Sequence, residues 1–138
     1  MEDRYLFKAK HFEKWHIGNI VKEPDELYIR DIKENVMAYI DDESTICQCT
    51  GLKDKNGKLI WENDIVKDIF SDTCAPIKYG SYQNCFDSTK AEHIGFYVDW
   101  SGKYAKRYRK DLGYWINMVN AEIIGNIFDN KELLENEE

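Results

Sequence analysis

No apolar run in this 138-residue chain approaches the ~20 residues that cross a bilayer as a helix. The opening residues 1–10 lack an apolar signal core and a small-residue cleavage site, so neither export nor insertion is expected. Internal repeats and low-complexity segments are missing too. An excess of positive charge is also missing: the net charge is −7, which opposes generic binding to nucleic acid or anionic membrane. The cysteines Cys47, Cys49, Cys74 and Cys85 are even in number, but without a secreted context they do not argue for a disulfide framework. A soluble cytoplasmic protein with no membrane partner is the expectation.

What is present points to a mainly β protein. The length suits a single domain over 1–138, large enough to bury roughly two-thirds of its unfolded surface without metal or disulfides. Nine Tyr, six Phe and four Trp join Ile and Val in favouring pleated, half-buried surfaces. Short period-2 runs fill the first half: Tyr5–Ala9, Trp15–Val21, Leu27–Arg30, Val36–Ile40 and Ile46–Thr50. Glu23-Pro24-Asp25-Glu26 is turn chemistry between two of them, and Asp41–Ser44 reads as a loop. Asn56-Gly57 is the strongest hairpin signal, because both residues accept positive φ at little cost. A strand over Ile65–Phe70 follows, entered through a tight turn in which Asn63 suits the left-handed region and Asp64 caps a backbone N–H.

From Ser71 to Glu92 the period loosens, and Gly80–Asn84 reads as an irregular excursion within a segment, 71–110, that resembles an insertion. Strands are expected again at Ile94–Trp100, Tyr114–Val119 and Glu122–Phe128. Asp129 or Asn130 then N-caps a helical turn carrying Leu133 and Leu134. Many closely spaced short strands suggest a small barrel or a strongly curled antiparallel sheet. Gly51, Asn56, Gly57, Asn63, Asp64 and Gly125 are the expected turn-forming positions.

Catalytic and metal chemistry find little support. Gly51–Lys58 imitates a phosphate loop, but five residues separate its glycines, Leu59 stands where Ser or Thr would bind magnesium, and no helix follows. Cys47 and Cys49 form one close pair where structural zinc needs two; recruitment of His93 is weaker than burial of small thiols. A cysteine nucleophile would need a base, and His11, His16 and His93 are candidates by type alone. His16 reads as a structural or surface residue on the strand face opposite Trp15. No catalytic residue, cofactor or metal is therefore assigned.

The segment Lys103, Tyr104, Lys106, Arg107, Tyr108, Arg109 and Lys110 is the most suggestive. It sets cations beside aromatics, the pairing that grips phosphates and stacks on bases. Against the overall charge, a solvated loop or strand offsetting the acidic tail (Glu132, Glu135, Glu137, Glu138) is the preferred reading.

Three segments carry a family resemblance: Phe7–Lys10 with Trp15–Val21; Gln48–Gly57 with Trp61–Val66; and Ile123–Asn130 with Glu132–Leu134. They resemble the YopX-like family of small phage and prophage proteins. Cys49 stands where that pattern has an aromatic, and Asn63 where it has glycine. The resemblance implies a compact mainly β domain from a phage or mobile element, with no biochemical activity attached. The functional expectation is a non-enzymatic module that binds a host or phage protein, or its own copies as an oligomer, through aromatic surface. A small barrel binding nucleic acid through 103–110 is the alternative.

Overall fold

The computed structural model describes residues 5–68, 73–100, 109–117 and 121–135. The chain divides into two compact units, 1–51 and 52–138, which are taken in turn.

The first unit is an antiparallel sheet in the order β4-β3-β2-β1-β5. Its strands are β1 (Phe7–His11), β2 (Lys14–Glu23), β3 (Glu26–Asp31), β4 (Val36–Tyr39) and β5 (Cys47–Lys53), the last running into the second unit. Two-residue loops set the register. His11 pairs with Lys14 across Phe12-Glu13, and Glu23 pairs with Glu26 across Pro24-Asp25. Phe12 takes φ 54° in the first loop, an uncommon value for a bulky side chain. Because successive strand residues point to opposite faces, Ala9, Ile29 and Ala38 fall on one side, where with Ile40 they form a buried core flanked by Ile20, Leu27 and Ile46. Gly18 lets β2 and β3 approach, since a Cβ there would collide with the Arg30 carbonyl. The sheet curls enough for His11 Nδ1 to lie 2.9 Å from the Tyr39 carbonyl oxygen on the outermost strand. Residues 43–45 form a single 3-10 turn capped by Asp42.

The second unit opens with a hairpin into β6 (Leu59–Trp61). Its loop is longer than the Asn-Gly signal suggests. Asp54 N–H donates to the Lys58 carbonyl (2.9 Å) and Gly57 N–H to that of Asp54 (3.0 Å). Only Gly57, at φ 81°, is left-handed; Asn56 is not. That is a three-residue loop ending in a glycine bulge, and it wins because the Asp54 carboxylate accepts the N–H groups of Asn56, Lys58 and distant Ile123. A four-stranded sheet, β10-β7-β8-β9, follows. It comprises β7 (Asp64–Lys67), β8 (Cys74–Tyr82), β9 (His93–Val98) and β10 (Glu122–Asn126). Ile60, Val66, Ile77, Val98, Trp100 and Trp115 are the bulk of its core.

Three expectations change here. Of the stretch Gly80–Asn84 read as irregular, Gly80–Tyr82 end the nine-residue β8 and pair with β9, while Gln83 and Asn84 lie beyond the strand. Its lost period reflects the pair Gly80 and Gly95, directly opposite each other. Tyr82 stacks on both His93 and Tyr97 (centroids 5.2 and 5.0 Å), and Gly95 between those two has no side chain to part the rings. Of the expected strand at Tyr114–Val119, residues 114–117 belong instead to helix α1 (Leu112–Asn117) and 118–119 lie outside the described residues; Trp115 enters the core and its indole N–H meets the Arg109 carbonyl at 2.7 Å. Finally, among the described residues neither sheet closes into a barrel: the architecture is mainly β with open antiparallel sheets. The helical turn is α2 (Glu132–Glu135).

Candidate binding face

The register of the first unit places a set of side chains on the face opposite its core. Lys10 pairs with Trp15 and Lys8 with Ile17. Asn19 pairs with Arg30, and Arg30 in turn with Met37; Val21 pairs with Tyr28, and Tyr28 with Tyr39. Directly paired residues share a face and sit about 5 Å apart, so these rows form one continuous patch. Ile17, Met37 and Tyr39 are exposed at 38 %, 44 % and 41 %. Ile32, whose N–H reaches the Ile17 carbonyl (3.0 Å), extends the patch beyond β3.

The charges on these rows are Lys8, Lys10 and Arg30, with no carboxylate among them. The chain as a whole has 26 acidic residues against 19 basic ones, so a patch this size without an acid is a local inversion. Carboxylates border it at the Glu23–Glu26 hairpin tip, where Glu26 accepts the Tyr28 hydroxyl (3.3 Å) and pushes Tyr28 above its usual value. Lys8 and Lys10 lay their ammonium groups 4.5 and 5.2 Å from the Trp15 ring centre, and Tyr28 meets Tyr39 edge-on at 5.8 Å. These contacts fix the aromatics and concentrate positive potential over an apolar floor.

Beneath the face, His16 is buried on the core side. Its Nδ1 lies 2.8 Å from Asp31 Oδ2, while Asp31 Oδ1 accepts the N–H groups of Lys33 and Glu34. Burial alone would raise the Asp31 pKa, but the Glu34 N–H, the His16 ring and the Lys33 N–H outweigh it and hold the carboxyl below its ordinary value. The surface option for His16 is thereby replaced by a structural one. His16, Asp31 and Glu34 are also the one group among the described residues whose donor atoms lie within 4.8 Å of one another, a metal-ligand spacing. The chemistry of the donors does not fit an ion. Both Asp31 oxygens are engaged, and Glu34 already holds a cation, the Lys14 ammonium at 2.6 Å.

The basic–aromatic segment is only partly in view: Lys103, Tyr104, Lys106, Arg107 and Tyr108 lie outside the described residues. Arg109 is engaged rather than available. Its guanidinium grips Asp111 (3.0 and 3.1 Å) and lies over the rings of Phe86 and Tyr114. Asp111 also accepts from Tyr82 (2.8 Å) and Asn84 (3.0 Å). Burial first, then the bonds from Tyr82, Arg109 and Asn84, act on Asp111 in opposite senses, with the net result lowered. Burial and the Asp111 carboxylate push the Tyr82 hydroxyl to about 12.

The turn positions hold local structure. Gly51 sits at φ 80°, and Asn63 at φ 72°, with Asp64 Oδ2 accepting the Trp61 N–H at 2.8 Å. Gly125 lies inside β10 rather than in a turn, at a register shift where a Cβ would meet the Asn130 side chain. Cys47 and Cys49 are buried on one face of β5, while Cys74 and Cys85 belong to the second unit.

No motif announced the patch, since its members are alternate residues of four separate strands. Strand parity was legible; the register that aligns Ile17, Arg30 and Met37 needed the loop lengths.

Fold and face together define a small β-sheet protein with a cationic–apolar surface on one unit. The family described as "YopX protein" matches residues 6–135, across both units, and the chain belongs to that family. No curated protein matches it. Among the described residues no helix is long and apolar enough to cross a membrane.

Proposed function

We propose that the chain is a non-enzymatic interaction module whose first unit takes up an acidic, apolar-containing segment of another protein on the outward sheet face. The carrying observation is the run of rows from Lys10–Trp15 to Val21–Tyr28–Tyr39, apolar and cationic with no carboxylate. Opposite charge steers a partner and fixes its register, while Ile17, Met37 and Tyr39 offer area to bury. Trp15 already lies under Lys8 and Lys10, so aliphatic side chains suit the floor better than stacking bases. The setting that goes with this reading is the cytoplasm of a cell carrying a phage or prophage.

Fluorescence anisotropy with a labelled peptide of alternating Glu and Leu, about a dozen residues long, tests it. The peptide binds, and Arg30→Glu or Met37→Glu weakens binding roughly tenfold. An oligo-dT strand in a parallel titration and light scattering of the unliganded protein report the other occupants. The reading falls if the peptide does not bind, if the oligonucleotide binds tighter with a steep salt dependence, or if a self-association abolished by Met37→Glu covers the face.

A further inference from the structure

The ribbon of β8 and β9 carries its apolar face past the core. Ile77 and Val98, a directly paired row, are fully buried. The next row on that face, Tyr79 and Phe96, is partly open, and the last, Ser81 and Ile94, leaves Ile94 78 % exposed. No other large apolar side chain among the described residues is as exposed. The Tyr79 and Phe96 rings meet edge-on at 4.9 Å, so the apolar surface runs unbroken to Ile94.

β9 is also the outer strand of its sheet. Val98 N–H donates away from β8, to the Lys110 carbonyl at 2.8 Å, and Tyr97 bridges Asp111, so that end of the edge is covered. Backbone groups alternate along a strand, so Ile94 directs its N–H and carbonyl to the same side as Val98. Among the described residues neither group of Ile94 has a partner there. Open edges are ordinarily guarded by Lys, Pro or a bulge. The strand His93–Val98 contains no Lys, Arg, Asp, Glu or Pro, and its pairing to β8 runs without a bulge. The charge around its end is balanced as well: the adjoining polar cavity of about 570 Å³ is lined by Asp87 and Glu92 against Lys90 and Lys110. In a chain of net charge −7, two copies repel least where the surface is locally neutral.

We propose that Ile94 is the centre of a two-fold contact through which two copies of the chain pair their β9 edges. With the axis at Ile94, each Ile94 N–H faces the other's carbonyl, and the two isoleucines become a direct cross-strand pair flanked by Phe96 and Tyr79 of each copy. A two-fold contact requires a surface complementary to itself. One residue offering both a donor and an acceptor, with an apolar side chain and no charge, meets that requirement, so the occupant is a second copy. The free edge is short, which makes the association weak, with a dissociation constant on the order of 100 µM. The contact uses no residue of the first unit's outward face.

Sedimentation equilibrium of the full chain from about 10 µM to about 1 mM tests it, a range that brackets the expected constant. The average mass should rise with concentration toward that of two chains. Ile94→Pro removes the outward N–H while sparing the bonds to β8, and Ile94→Lys supplies the missing guard charge. Each should weaken association at least tenfold in a protein whose circular dichroism is unchanged, whereas Met37→Glu should leave association as it is. In the unaltered chain, amide exchange at Ile94 should slow as concentration rises. A parent chain that stays monomeric, an Ile94 amide whose exchange ignores concentration, or an association that survives in a folded Ile94 variant would overturn the proposal. So would an association that Met37→Glu abolishes.

Discussion

Arg30 of the first unit and Arg109 of the second are both exposed arginines, yet only Arg109 has its guanidinium engaged. Arg109 is gripped by Asp111 and lies over Phe86 and Tyr114. Arg30 stands between Asn19 and Met37 in an acid-free row, with no ion pair among the described residues. By sequence alone Arg109 is the better binding candidate, because it belongs to a dense basic–aromatic run. In space the ranking reverses, since availability depends on which carboxylate folds back onto the charge. Asp111 is two residues from Arg109; the acids nearest Arg30 are turned to the opposite face or used at the hairpin tip.

The strongest challenge to the comparison is removal of the carboxylate that organises each unit. Asp31→Ala strips His16 and two backbone N–H groups of their acceptor inside the first unit, and a loss of about 3 kcal/mol is expected by denaturant titration. Asp111→Ala, in a half-buried site, should cost about 2 kcal/mol and return Tyr82 from about 12 toward its ordinary value, seen by ultraviolet titration. If Asp31→Ala proves the milder of the two, the first unit is not built on that pair.

A backbone test comes next. Gly18→Ala drives a methyl into the Arg30 carbonyl and should cost about 2–3 kcal/mol, while Gly57→Ala strains only an exposed turn and should cost about 1. Acid should affect both units. Asp31, Asp54 and Asp111 all have lowered native pKa values, so their contribution is complete above the unfolded carboxyl value and lost as pH falls through the native one. Melting temperature should therefore decline below about pH 4. A flat profile there would mean these carboxylates are no better placed folded than unfolded. The smallest effect sharpens the functional half: Arg30→Glu and Met37→Glu should each change stability by less than about 0.5 kcal/mol, leaving any loss of binding attributable to the face.

Much of the first unit was legible in the sequence, because its hairpins are short and its strands alternate cleanly: Ala9, Ile29 and Ala38 fall where period 2 puts the core. The second unit was less so. Gly80 and Gly95 break the alternation of a true ribbon, and the Tyr114–Ile116 run mimics a strand although tertiary packing of Trp115 makes it helix. Asp54 shows the same limit, since the hairpin loop it selects depends partly on Ile123, far along the chain. The candidate face was hidden for a related reason: hydrogen bonding between strands, not sequence proximity, assembles it.

Mapping amide shifts of the full chain on titration with the Glu–Leu peptide tests the central claim most directly. Binding on the outward face should move Ile17, Arg30, Met37 and Tyr39 while leaving the 81–92 amides in place. Shifts confined to 81–92 and 110, or none at saturating peptide, would contradict it.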